Sequence, residues 1–330
     1  MKKVLISVLL GLAAAAAWLP VQALTKVTIG TSQDPNNGAQ ILIAQQKGFF
    51  RDAGLDAQVR YFPSGGDLMS AFIGGSVQYG SSGSIPVITI RSRPFPLKVI
   101  AQMSDISGAQ QLIVKKSIDS LDQLQGKKIG LLRGTASEAF YDSIVDSYGF
   151  RPGSAQLINM GPTDMTTAFI RGDVDAVVLW EPHSTRARKL GKGKILISGT
   201  YGYLGGKAVP KRVYGDHAVL FAAEDTLKKE PATTRSVLAA LQKATDFIHD
   251  HRAEAIAIMA KVYGLQADEI SGILDVNRYT LQLDGQLASD MGKLSAFLLT
   301  TKGIARPVSI TDLFDPAALK SYRPDLVKIP

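Results

Sequence analysis

The residues best placed to do chemistry lie within residues 62–86, FPSGGDLMSAFIGGSVQYGSSGSIP. Ser64 with Asp67 three places on reads as a capping box, and Leu68, Ala71, Phe72 and Ile73 supply the apolar face of a short helix that Gly74-Gly75 ends. A brief strand over residues 77–79 is expected to run into a loop, Gly80-Ser81-Ser82-Gly83-Ser84, after which Ile85-Pro86 opens another helix with proline in its first turn. Hydroxyls and free amides at a helix N-terminus suit an anion, because the orphan N–H groups and the positive end of the helix dipole point at it. A plain solvated turn between strand and helix has the same composition.

Elements elsewhere must bring a second wall to this one. Residues 168–177 read AFIRGDVDAV and echo residues 71–80, AFIGGSVQYG, so a helix end, a glycine turn and a strand start recur about a hundred residues downstream. The echo predicts two similar lobes. Residues 27–31 form a first strand followed by a polar turn over 32–37, which places Gln33 and Asn36 towards the same cleft. Apolar runs at 97–103, 111–115, 128–132, 155–159 and 175–180 alternate with helical segments such as 137–148 and 163–170, the pattern of a largely parallel sheet flanked by helices. In such sheets ligands collect beyond the carboxyl ends of strands. Low hydrophobicity around Gly108 and a glycine-containing stretch around Tyr214-Gly215-Asp216-His217 mark two crossings between lobes, with the Asp216-His217 pair expected on a surface hinge and a catalytic pair as the alternative. One lobe is then discontinuous, 24–107 plus 218–330, and the other comprises 108–217.

With 330 residues, 45% hydrophobic and 20% charged, the chain has the composition of a globular protein large enough for two domains. Lys2-Lys3, an apolar run over 4–18, Pro20 and the small residues before Leu24 match a secretory signal peptide over residues 1–23. There is no cysteine, which excludes disulfides, thiolate chemistry and a lipid attached after the signal. A periplasmic location and a monomer are the expectation. The formal charge of +8 falls to +6 without Lys2 and Lys3, with 35 basic residues against 29 acidic. No basic patch interleaved with aromatics is present, which argues against nucleic acid as a partner and leaves an anionic ligand permitted.

Phe62-Pro63-Ser64-Gly65-Gly66, residues 80–86, residues 130–137, Gly172-Asp173-Val174-Asp175-Ala176 and Trp180-Glu181-Pro182, in this order, resemble the periplasmic binding proteins for sulfonates, taurine and nitrate that serve ABC importers. The resemblance covers essentially the whole chain after residue 23. It implies an α/β fold of the two-lobed type II binding-protein class, each lobe a mostly parallel sheet flanked by helices, with two hinge crossovers. It implies that the ligand's acid group sits against Ser82 and Gly83 on one lobe and Gly134, Thr135 and Ser137 on the other, that Trp180 forms an aromatic wall, and that Glu181 occupies an acidic position. Residues 134–138 open a helix, where a sulfonate would take charge-assisted bonds; a capping box of Thr135 with Glu138 explains the same residues without a ligand. Arg133 is a candidate counter-charge. Glu181 either reads an ammonium on the ligand or pairs with Arg186.

The expected function is capture of a small organic sulfonate, with an inner-membrane ABC permease as partner and no metal or cofactor. Nitrate, another small anion or a thiamine precursor are alternative ligands, and an isomerase or dehydratase on the same fold is the alternative class. No HExxH helix, GxSxG elbow or phosphate-binding Walker loop is present, so the sequence gives catalysis no motif of its own.

Overall fold

The computed structural model describes residues 23–151, 153 and 155–329, so the signal-peptide segment lies outside the described residues but for Ala23. Thirteen strands are named in chain order: β1 (Thr25–Ser32), β2 (Leu55–Phe62), β3 (Tyr79–Gly83), β4 (Leu97–Asp105), β5 (Gln110–Lys115), β6 (Lys128–Leu131), β7 (Gln156–Asn159), β8 (Ala176–Trp180), β9 (Gly193–Ser198), β10 (Tyr201–Gly202), β11 (Val209–Pro210), β12 (His217–Ala223) and β13 (Arg278–Gln282). They form two sheets. The first has the order β13-β4-β12-β3-β1-β2 and the second β11-β10-β9-β5-β8-β6-β7. The chain thus builds one sheet from its two ends and the other from its middle.

The lobes repeat one plan. In the first sheet β2-β1-β3 are parallel and β12 and β4 follow antiparallel; in the second β7-β6-β8 are parallel and β5 and β9 follow antiparallel. The echo of residues 71–80 in 168–177 therefore joins β3 to its topological counterpart β8. The sheets are mixed, not mostly parallel, because each crossing between lobes delivers a strand from the opposite direction.

Residues 80–83 are strand and not loop. Gly80 and Ser81 pair with β1 and with β12, and a Cβ on Gly80 would meet the ring of Phe221 at 2.3 Å. The small residues are the cost of packing an aromatic against a central strand. In β8 alternate residues face opposite ways: Val177 and Leu179 pack with Met165, Phe169 and Ala187, while Ala176 and Val178 join the larger core. Helices on both faces thus hold the ends of β3 and β8 in place. Gly48-Phe49-Phe50 serves the core, Phe50 being buried and Phe49 meeting Phe247 edge-on at 6.1 Å.

Candidate binding cleft

A cavity of about 950 Å³ lies between the lobes, beyond the carboxyl ends of β1, β3, β6 and β8. Gln33, Ser82, Gly83, Gly134, Thr135, Trp180 and Glu181 all line it. Six helices begin at its wall: Pro35–Gln46, Gly65–Ile73, Ser84–Arg91, Ala136–Tyr148, Pro162–Arg171 and His183–Leu190. Their dipoles make the cavity electropositive at the backbone, although three of its acidic side chains are drawn to the same amides.

Asp34 caps the first helix, accepting from Asn37 N at 3.0 Å. Burial raises its carboxyl above the usual range, against hydrogen bonds from Asn37 and Asn36. Asp216 Oδ1 accepts from Ser84 N at 3.3 Å and His217 N at 2.9 Å, and burial pushes this carboxyl up to about 6. Glu181 Oε2 accepts from Thr185 N at 3.1 Å and Oε1 from Gln111 Nε2 at 3.2 Å. Both Glu181 oxygens are thus held inside their own lobe, and no ion pair with Arg186 forms among the described residues. The other three helices start with a hydroxyl cap, Ser64 or Thr135, or with none at Gly161.

At these three termini the ligand's donors must be found. Ser82 Oγ is fully buried, lies on the cavity wall and has no partner among the described residues. It sits at the start of Gly65–Ile73, where a Cβ on Gly65 would come within 2.6 Å of it. Across the cleft, Thr135 Oγ1 donates to Leu132 O at 2.7 Å and accepts from Ser137 N at 3.2 Å. Gly134 N donates to Glu138 Oε2 at 2.7 Å, and Arg133 pairs with Glu138 at 3.0 Å. Arg133 is therefore engaged, and the box is displaced by one residue: Thr135 caps Ser137, and Glu138 reaches back to Gly134. The amides of Thr135 and Ala136 make no hydrogen bond among the described residues.

Ser137 does not reach the cavity. Its buried hydroxyl donates to Val178 O at 2.7 Å and accepts from Leu132 N at 3.2 Å, tying the helix to β8. The surface hinge expected at Asp216-His217 is also corrected. Both residues are buried, His217 completely, because β12 begins there in the middle of the first sheet. Tyr263, whose hydroxyl is buried without a partner among the described residues, lines the cavity from a helix two hundred residues away from Ser64. Nothing in its local sequence distinguishes it from a core tyrosine. His183 stands edge-on to Trp180 at 6.4 Å, and burial followed by the charge of Arg186 lowers its pKa, so the aromatic wall is extended by an imidazole disfavoured as a cation.

Residues 36–255 match the family described as NMT1/THI5 like. The chain belongs to this family. A taurine-binding periplasmic protein of Escherichia coli is 27% identical over 300 residues, 88% of this chain and 89% of that one. A 4-amino-5-hydroxymethyl-2-methylpyrimidine phosphate synthase of Saccharomyces cerevisiae is 26% identical over 219 residues, 63% of this chain and 62% of that one. Among solved structures, the periplasmic aliphatic sulphonate binding protein SsuA from Escherichia coli superposes with a TM-score of 0.76 at 22% identity, covering 88% of this chain and 92% of that one. The fold is the two-lobed one of these binding proteins. Among the described residues no helix is long and apolar enough to cross a membrane.

Proposed function

We propose that the protein is the periplasmic substrate-binding component of an ABC importer and captures a small organic sulfonate, such as taurine or an alkanesulfonate, between its lobes. The observation that carries this is the buried, unpartnered Ser82 hydroxyl on a wall where helix N-termini converge. A buried hydroxyl without a partner costs about 1–3 kcal/mol, which a bound acceptor recovers. A sulfonate needs donors and no proton acceptor, and Ser82 and Gly83 on one lobe with the Thr135 and Ala136 amides beside Gly134 on the other supply them. Trp180 packs on the carbon segment. The taurine-binding relative, matched over 88% of this chain against 63% for the pyrimidine phosphate synthase, supports this choice over a thiamine precursor. Binding is favoured over catalysis because Asp34 and Glu181 each accept from a backbone amide of their own lobe and stand as fixed elements of the wall. The protein acts as a monomer and delivers its ligand to an inner-membrane permease.

The test is a melting and calorimetric screen with taurine, ethanesulfonate, nitrate, acetate and 4-amino-5-hydroxymethyl-2-methylpyrimidine. The sulfonates are expected to raise Tm, by an amount equivalent to about 2.7 kcal/mol at a hundred times Kd, and to be recovered unchanged. Stabilisation confined to nitrate or the pyrimidine, or conversion of a probe to product, would overturn the proposal.

A further inference from the structure

Asn36 lies in the first turn of Pro35–Gln46, is buried, and lines the cleft from the first lobe. Its Nδ2 donates to Glu181 O in the other lobe at 2.9 Å, while its Oδ1 accepts from Asn277 Nδ2 at 2.8 Å. Asn277 Nδ2 also reaches Tyr279 Oη at 3.3 Å, and that hydroxyl donates to Pro35 O at 3.0 Å. The direction of this relay is fixed. Both of its ends, Glu181 O and Pro35 O, are backbone carbonyls that only accept, so Asn36 must turn its NH₂ across the cleft and Asn277 must turn its own to Asn36. Ser104 Oγ, donating to Asn36 O at 2.9 Å, fixes the backbone behind it. Away from the two crossings, one other polar contact joins the lobes among the described residues, the ion pair Lys189–Asp268, and both of its side chains are exposed to solvent. The Asn36 bond is the buried one and escapes screening.

We propose that Asn36, oriented by Asn277, is a positioning residue for ligand capture: an interlobe latch between protein atoms that holds the Trp180–Glu181 wall against the first lobe and sets ligand affinity by fixing the population of the closed form. Apparent affinity scales with the fraction of protein in the competent form, so the latch acts on Kd without touching the ligand. Since a ligand enclosed between lobes leaves only on opening, loss of the latch falls on koff.

Asn277 makes the decisive variant because it lies outside the cavity lining. In Asn277→Asp a carboxylate that only accepts takes the Asn36 NH₂, and Asn36 Oδ1 is left facing Glu181 O, acceptor against acceptor. Small-angle scattering of the protein without added ligand is expected to show a larger radius of gyration for Asn277→Asp than for wild type, with Asn277→Ala shifted less in the same direction. Taurine, as probe, is expected to dissociate about three- to tenfold faster from Asn277→Asp with little change in kon. Ligand-free radii equal to wild type in both variants overturn the proposal. So does a taurine koff unchanged in Asn277→Asp. If taurine fails to bind wild type, the sulfonate assignment fails while the ligand-free scattering still decides the latch.

Discussion

Asp216 places a carboxylate on the wall of the cleft with one oxygen held by the amides of Ser84 and His217 and the other making no hydrogen bond among the described residues. Burial raises its pKa to about 6, from an ordinary value of 3.8. The folded state therefore holds this proton over a pH range in which the unfolded chain has lost it, and stability falls as pH rises from about 4 to about 6. Asp216→Asn is expected to equal wild type in urea stability near pH 4 and to exceed it at pH 7.5, by up to roughly 3 kcal/mol for a shift of this size. Equal stability at both pH values would remove the premise. The ionised carboxylate is the acceptor best placed for an ammonium, so the same variant is expected to bind taurine about ten- to a hundredfold more weakly at pH 7.5, by calorimetry, with ethanesulfonate little affected. Seven of the eight site residues named from sequence do lie on the cavity, since each belongs to a strand end or helix start whose local pattern shows. Asp216 and Tyr263 were not legible because their environment is made by residues far along the chain, Ser84 for one and Gly38 in the helix Pro35–Gln46 for the other. Ser137 misled because a hydroxyl at a helix start looks the same whether it faces a ligand or a neighbouring strand.

Helix starts do two kinds of work in this cleft, and Thr135 separates them. Its hydroxyl caps Ala136–Tyr148 and ties the turn to Leu132 O, while the neighbouring amides of Thr135 and Ala136 make no hydrogen bond among the described residues. Thr135→Val keeps the shape and removes the cap, so thermal unfolding is expected to show a loss of about 1 kcal/mol. The amide donors remain, so taurine affinity is expected to fall less than about tenfold. A loss of two orders of magnitude would make the hydroxyl itself a ligand contact. Elements of this kind were readable because caps, glycine stops and apolar runs are local. Strand direction was not, since residues 217–223 read the same whether β12 enters its sheet parallel or antiparallel. Gly80-Ser81-Ser82 reads as a loop because small polar residues mark turns in water; here they mark a central strand that Phe221 crosses closely.

At the scale of the whole molecule the two lobes are joined through one charged knot at the crossings. Arg212, on the returning segment, pairs with Asp105 at 2.9 Å and Asp290 at 2.6 Å and donates to Ser107 Oγ at 3.0 Å; His217 Nε2 lies 3.0 Å from the same Asp290 oxygen. Gly215 passes so near that a Cβ there would stand 2.1 Å from Asp290 Cγ. The ligand cavity reaches this knot at Asp216, and a second crevice of about 710 Å³ is lined by Arg212, Tyr214 and Asp290. Burial would raise the Asp290 carboxyl, but hydrogen bonds from His217 and Arg212 outweigh it and hold it at about 2. Its contribution to stability is present above about 4 and is lost as pH falls from there towards 2. Arg212→Ala leaves Asp290 buried without its guanidinium, which is expected to cost roughly 3 kcal/mol at pH 7 and to shrink the acid-dependent loss between pH 4 and 2, because the carboxyl is no longer held so low. The form of unfolding should change as well. With the knot intact the lobes are expected to melt in one calorimetric transition; with Arg212→Ala they are expected to separate into two, with Arg212→Lys between, since a single ammonium meets one carboxylate where the guanidinium meets two. A single transition in Arg212→Ala, with calorimetric and van 't Hoff enthalpies still equal, would mean that the packing of Gly108 and Gly199 at the crossings, and not the charges, makes the two lobes one cooperative unit.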